Sequence, residues 1–311
     1  MDRRRFLQAG LAGGALFGGA AFVHGRSRAA ATRSGVDLAP SAAAPRGIKC
    51  SLKWGMIGEG RTVIEKFRLL KELGYDGVEL DSPGAPDFAE VKDAIAATGV
   101  VVPGVVDSVH WSKTLGDPDE KVRGEGRDAL ETALRDAAEI GASTVLLVPA
   151  VVNEQIPYHL AYERSQTEIR RLLPLAAELG VTIAFENVWN NFLLSPLEAA
   201  RYVDEFESPH VAWYLDVGNL VHYGWPEHWV EVLGKRIAKL DIKDYSRTKC
   251  DEEGLWAGFD CEIGDGDANY PRVMAALDAV GYRGWASAEV GGGNKKRLAD
   301  VLARMRRVLD S

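Results

Sequence analysis

VTIAFENVW (181–189), VAWYLDVGN (211–219), IAKLDIKDY (237–245) and GWASAEVGG (284–292) are four apolar runs, each carrying a carboxylate near its end: Glu186, Asp216, Asp241 and Glu289. An acid in such company is costly unless something offsets its desolvation. Upstream, runs of the same kind recur at 48–54, 77–80, 100–106 and 144–149, which with 182–186, 212–216, 238–243 and 285–290 predict eight strands. Amphipathic patterns alternate with them, predicting helices over 62–73, 87–97, 118–140, 158–179, 196–206, 227–233, 270–280 and 295–309. Ser195-Pro196 reads as an N-cap followed by proline at the first helical position. Gly74, Gly99, Gly141, Gly180 and Gly281 fall where helices end. Strands apolar throughout belong to a parallel sheet buried on both faces. Eight strand–helix units predict an α/β chain folded as a (β/α)8 TIM barrel. The alternative, a doubly wound open sheet, would be favoured by a GxGxxG turn after the first strand, and GMIGEG (55–60) lacks that spacing.

The chain has 311 residues, 46% of them hydrophobic, and a formal net charge of −8. That supplies one large core, and α/β barrels run at this size as one domain. The acidic balance argues against nucleic acid as a partner and suits a small neutral or cation-bound molecule. Residues 1–31 read as an export signal: Arg3, Arg4 and Arg5, then Phe6-Leu7-Gln8, an Ala/Gly/Leu run over 9–23, Arg26 and Arg28, and three small residues at 29–31. The Arg-Arg-x-Phe-Leu arrangement resembles a twin-arginine signal, although Asp2 stands where Ser or Thr is usual, and it predicts a periplasmic protein. The alternative is an uncleaved membrane anchor, for which the run is short and rich in glycine. Removing the signal leaves a net charge of roughly −12. An Ala/Ser/Pro-rich linker follows over 32–46, and the barrel domain spans 47–311, with no later segment suited to crossing a bilayer. Cys250 and Cys261 leave open a disulfide closing a small loop or free thiols, and neither they nor Cys50 has the spacing of a structural zinc site.

In a barrel the C-terminal strand ends converge on one mouth. Neighbouring strands lie roughly 5 Å apart, so side chains from four of them reach one ion. Four oxygen ligands suit a hard divalent cation, Mn²⁺ or Mg²⁺. Six segments, ELGYDGVEL (72–80), FENVWNNFLLSP (185–196), WYLDVGN (213–219), LDIKDY (240–245), IGDGDANY (263–270) and AEV (288–290), carry a resemblance. In this order the chain resembles the xylose isomerase-like sugar isomerases and epimerases, which include hydroxypyruvate isomerase and ketose 3-epimerases. The resemblance implies a divalent metal held by a Glu, an Asp, usually a His, and a second Glu. Glu186, Asp216 and Glu289 match three of these positions, and Asp241 replaces the histidine of the family's His-x-Lys-Asp segment. An all-oxygen site shifts preference towards Mg²⁺, Mn²⁺ or Ca²⁺ and leaves Co²⁺ or Zn²⁺ as secondary candidates.

The chemistry implied is enolisation of a hydroxy ketone or aldehyde. Glu186 and Glu289 are the candidate acid–base pair, one removing a carbon-bound proton and the other returning one, through an enediolate that a cation stabilises. Return to the other face of the same carbon epimerises; return to the neighbouring carbon isomerises. Candidate substrate-binding residues are His110, Asn219, His222, Lys243, Arg247, Glu79 and Trp54. By resemblance, Asn219 stands where a substrate-binding histidine is common, and Arg247 matches a substrate-contacting arginine of the epimerases. Glu79 either binds a hydroxyl or pairs with Lys53; Lys243 either contacts substrate or pairs with nearby acids. Trp54, Trp111 and Trp189 offer faces to a sugar or simply pack. The expected function is a metal-dependent sugar isomerase or epimerase acting on a small carbohydrate, with oligomeric state left open. A lyase or dehydratase using the same site and a non-catalytic sugar-binding protein are the alternatives. An endonuclease on the same barrel is disfavoured by the acidic charge and by a total of six histidines.

Overall fold

A computed structural model of the chain describes residues 46–311; the leader and nearly all of the linker lie outside the described residues. From Gly47 to Ser311 the chain is one unit. Its strands are β1 (Lys49–Leu52), β2 (Leu80–Ser82), β3 (Gly104–Asp107), β4 (Thr144–Leu147), β5 (Thr182–Glu186), β6 (Val211–Asp216), β7 (Ile237–Ile242) and β8 (Trp285–Ala288). The connecting helices are α1 (Val63–Leu73), α2 (Phe88–Thr98), α3 (Glu120–Ile140), α4 (Tyr158–Leu179), α5 (Pro196–Asp204), α6 (Val217–Val221), α7 (Pro226–Leu233), α8 (Arg247–Glu253), α9 (Tyr270–Ala279) and α10 (Lys295–Leu309). All strand pairs are parallel, in the order β1-β8-β7-β6-β5-β4-β3-β2. The remaining join, β1 to β2, is one bridge between Lys53 and Glu79. The Trp54 N–H donates to the Glu79 carbonyl at 2.8 Å and the Glu79 N–H to the Leu52 carbonyl at 2.9 Å. The sheet therefore closes as the (β/α)8 barrel that the alternation predicts.

The helices start and stop where their sequences say. Thr62 and Glu65 form a reciprocal capping box at α1, and the Ser195 hydroxyl accepts from the Glu198 N–H at α5. Gly74 and Gly180 end their helices at φ of 90° and 66°, a backbone region costly for residues with a Cβ. The helices' apolar stripes pack on the outer face of the sheet in one large core. Inside the barrel a separate small cluster holds Val106, Leu146, Ala184 and Tyr214. Side chains two apart on a strand share a face. Glu186 follows Ala184, and Asp216 follows Tyr214, so both acids point into the barrel above that cluster.

Two strands differ from expectation. β2 and β3 begin later than the sequence pattern suggests, because Gly77–Val101 pairs only as an isolated bridge and Pro103 has no N–H to donate. The short helices α6 and α8 are too brief to leave a periodic signal. Among the described residues, no helix is long and apolar enough to cross a membrane. Cys50, Cys250 and Cys261 are all free thiols.

Candidate active site and metal centre

Register brings the acids together. Asp216 lies level with Asp241, and Asp241 with Ser287, two residues before Glu289; Glu186 lies level with Tyr214. One oxygen from each of Glu186, Asp216, Asp241 and Glu289 lies within 4.8 Å of the others. Asn187 braces β5 against β6: its Nδ2 donates to the Asp216 carbonyl at 2.7 Å, and its Oδ1 accepts from the Asp216 N–H at 3.1 Å and the Trp213 indole at 3.0 Å. Asp216 Oδ1 accepts from the Asn219 N–H at 2.8 Å, capping α6. Glu186, Asp216 and Asp241 are buried, while the Glu289 side chain is 19% exposed and marks the open side.

Burial pushes the Glu186 carboxyl well above its ordinary range, and the neighbouring Glu289, Asp241 and Asp216 push it further. Burial likewise raises Asp241 against the pull of Lys53, and Asp216 against the pull of Lys243. Lys243 Nζ is 2.7 Å from Asp216 Oδ2 and 2.8 Å from Glu289 Oε2, and Lys53 Nζ is 2.9 Å from Asp241 Oδ1. Beneath them Glu79 takes Lys53 at 2.7 Å, Lys239 at 3.3 Å and the Tyr214 hydroxyl at 2.9 Å. Burial would raise Glu79, but the two lysines hold it at about 2. Gly104 leaves room for this buried group, since a Cβ there would stand 2.5 Å from Lys239 Nζ.

The donor set fits a hard divalent cation on two grounds. Asp241 Oδ2 has no hydrogen-bond partner among the described residues, while Asp241 Oδ1 and Asp216 Oδ2 are contacted by the Lys53 and Lys243 ammonium groups, although both residues are fully buried. Buried polar atoms in native folds normally find partners. In addition, the five carboxylates of Glu79, Glu186, Asp216, Asp241 and Glu289 face three ammonium groups, Lys53, Lys239 and Lys243. With all five ionised, two negative charges would be left unmatched, the charge of one such ion.

The other candidates fall in several places. Lys243 joins the cluster directly, and Glu79 joins it through Lys53. Asn219 is buried, and its Nδ2 donates to the Asn187 carbonyl at 3.0 Å. His110 is buried beside Trp111, and its Nδ1 accepts from the Val148 N–H at 3.1 Å. Arg247 turns aside: its Nε donates to the Val221 carbonyl at 3.0 Å and Nη2 to the Gly224 carbonyl at 2.6 Å. His222 is exposed and packs against Trp189 at 5.3 Å. Trp54 packs on Phe67 and carries Lys66 over its ring at 4.4 Å. Sequence reasoning missed Asn187, Lys239 and Asp244. Asp244 accepts N–H bonds from Tyr245, Gly264, Gly266 and Ala268 at 2.9–3.1 Å, and so fixes the loop between β7 and α9. The adjoining acid in LDIKDY was its only signal.

This barrel with carboxylates at its strand ends defines a class, and the chain belongs to the Xylose isomerase-like TIM barrel family, whose model matches residues 67–308. L-ribulose-5-phosphate 3-epimerase UlaE of Escherichia coli O1:K1 / APEC is 28% identical over 236 residues, covering 72% of this chain and 81% of that protein. Among solved structures, 3-keto-D-glucoside 4-epimerase YcjR from E. coli superposes with a TM-score of 0.68 at 19% identity, covering 84% of this chain and 98% of that one. L-ribulose 3-epimerase gives 0.69 at 15% identity, covering 85% and 95%. At those identities the structural likeness speaks for the fold.

Proposed function

We propose that the protein is a divalent-metal-dependent sugar epimerase or isomerase. The observation that carries this is the meeting of four carboxylates, three of them buried, at the barrel mouth. Membership of the family and curated relatives that are sugar epimerases support the class of enzyme. Glu186, Asp216, Asp241 and Glu289 would hold the ion, Mn²⁺ or Mg²⁺ by donor type. When bound, it would polarise a carbonyl and stabilise negative charge on oxygen. Glu186, buried in the barrel, and Glu289, at the open side, would form the pair that removes and returns a carbon-bound proton. Lys243 stands between Asp216 and Glu289 and orients both.

One observation favours a second reading, a sugar-binding protein without catalysis. The ammonium groups of Lys53 and Lys243 already sit on three of the four carboxylates. Metal analysis together with solvent deuterium uptake into free ketoses separates the two. Glu186→Gln and Glu289→Gln should each abolish uptake at least about a hundredfold while leaving the circular dichroism spectrum intact. Near-normal uptake in either variant would contradict the assigned roles, and absence of both metal and exchange in the wild type would favour the second reading.

We further propose export by the twin-arginine route, on the strength of residues 1–31, which lie outside the described residues. Replacing Arg3 and Arg4 by lysine should retain the protein in the cytoplasmic fraction; unchanged fractionation would remove this assignment.

A further inference from the structure

Beside the carboxylates, the segments after β5, β6 and β7 build a wall of aromatic rings. Trp189 stands at its centre, with ring centroids 4.9 Å from Trp256, 5.0 Å from Phe259, 5.6 Å from Tyr245 and 5.7 Å from Tyr223. Tyr245 is buried at its base, whereas Tyr223 is 58% exposed and Trp256 37% exposed on its outer side. The wall begins at the carboxylates themselves. Lys243 Nζ lies 5.5 Å from the Phe259 ring centroid while pairing with Asp216 and Glu289. Phe259 therefore borders the acids, and Trp189 links it to Trp256 and Tyr223.

The wall is held rigidly. Asp244 gathers the N–H groups of Gly264, Gly266 and Ala268, the Ser246 N–H donates to the Gly258 carbonyl at 2.7 Å, and the Tyr245 hydroxyl donates to the Leu255 carbonyl at 2.7 Å. Gly258 packs flat on the Tyr245 ring, where a Cβ would overlap it. Large aromatic faces exposed on a pinned loop next to a polar cluster have the character of a preformed ligand site. A pyranose has an apolar C–H face and a polar rim, which suits such a surface. A phosphate would meet the negative faces of the rings.

We propose that this wall is a second-ring subsite and that the substrate is a two-ring saccharide or glycoside. The ring to be enolised sits at the carboxylates, and its glycosidic neighbour stacks on Trp256 and Tyr223. Only the fate of the first ring rests on the epimerase assignment; the stacking stands without it. The full-length protein is titrated with D-glucose, maltose and cellobiose, followed by saturation-transfer NMR. At least one disaccharide should bind about tenfold more tightly than glucose, and Trp256→Ala should remove that advantage. Equal affinity for all three sugars, or an advantage that survives in the Trp256→Ala, Tyr223→Ala double variant, overturns the proposal. Deuterium uptake into 3-keto-cellobiose, 3-keto-maltose and 3-keto-glucose gives the second arm, with the ratio of two-ring to one-ring kcat/KM falling about tenfold in Trp256→Ala. If no keto sugar exchanges while disaccharide binding still depends on Trp256, the epimerase assignment falls and the subsite stands.

Discussion

At the proposed metal site, Asp241 would decide which ion is preferred. As a ligand it would offer oxygen where the family pattern has nitrogen, and its Oδ2 has no hydrogen-bond partner among the described residues. Asp241→His should shift preference towards Co²⁺ or Zn²⁺, read by equilibrium dialysis and elemental analysis; an unchanged preference would mean that Asp241 is not a ligand. Gly104 carries a different constraint. Gly104→Ala would place a Cβ 2.5 Å from Lys239 Nζ and 2.6 Å from Thr144 Oγ1, and should cost about 1–3 kcal/mol in urea unfolding. The four acids were legible in the sequence because a carboxylate closing an apolar strand is an anomaly that demands a partner. Lys53 and Lys239 were harder, since a lysine in a short strand reads equally well as an exposed stem. Arg247 shows the limit of matching positions: its place in the sequence suggested the substrate, but its guanidinium is spent on the carbonyls of Val221 and Gly224.

At the level of elements, the eight-fold alternation was plain because many of the helices carry a side-chain N-cap, among them Thr62, Asp87, Asp119, Ser195 and Asn294. Ser195→Ala should cost about 1 kcal/mol, through the lost bond to the Glu198 N–H. The segment between β7 and α9 was not legible. Its order comes from Asp244, whose hydrogen bonds reach 20 to 24 residues along the chain, and no local periodicity records such reach. Asp244→Ala should leave several N–H groups without partners, cost about 3 kcal/mol, and open the 246–268 segment to limited proteolysis. Cleavage elsewhere first would show that the loop has another anchor. β2 and β3 were misplaced for a related reason: apolar character marks extended chain, but only hydrogen-bonded pairing makes a strand of it.

For the whole molecule, an ion that binds only the folded chain stabilises it by mass action. Mn²⁺ at about a hundred times its dissociation constant should add about 2.7 kcal/mol and raise Tm by several degrees, with EDTA reversing the shift. A melting temperature indifferent to Mn²⁺, Mg²⁺ and chelator would speak against the site. Stability should also fall as pH rises, through Asp107. Burial raises this carboxyl from 3.8 to about 7. The unfolded chain releases its proton near 4 while the folded chain keeps it, so stability is greatest below that point and declines towards pH 7, by up to about 4 kcal/mol. Glu186, Asp216 and Asp241, also raised by burial, add to the decline, so Asp107→Asn should make it shallower without abolishing it; parallel urea curves for both proteins at pH 5 and pH 8 check it. Finally, a cylinder with seven full ladders and one slender join has a preferred line of opening. The Lys53 ammonium crosses that line to Glu79 and also grips Asp241. Whatever parts the first and second staves thus slackens the ion's seat from behind, and hydrogen exchange at the Trp54 and Glu79 amides should quicken before the seat itself comes apart.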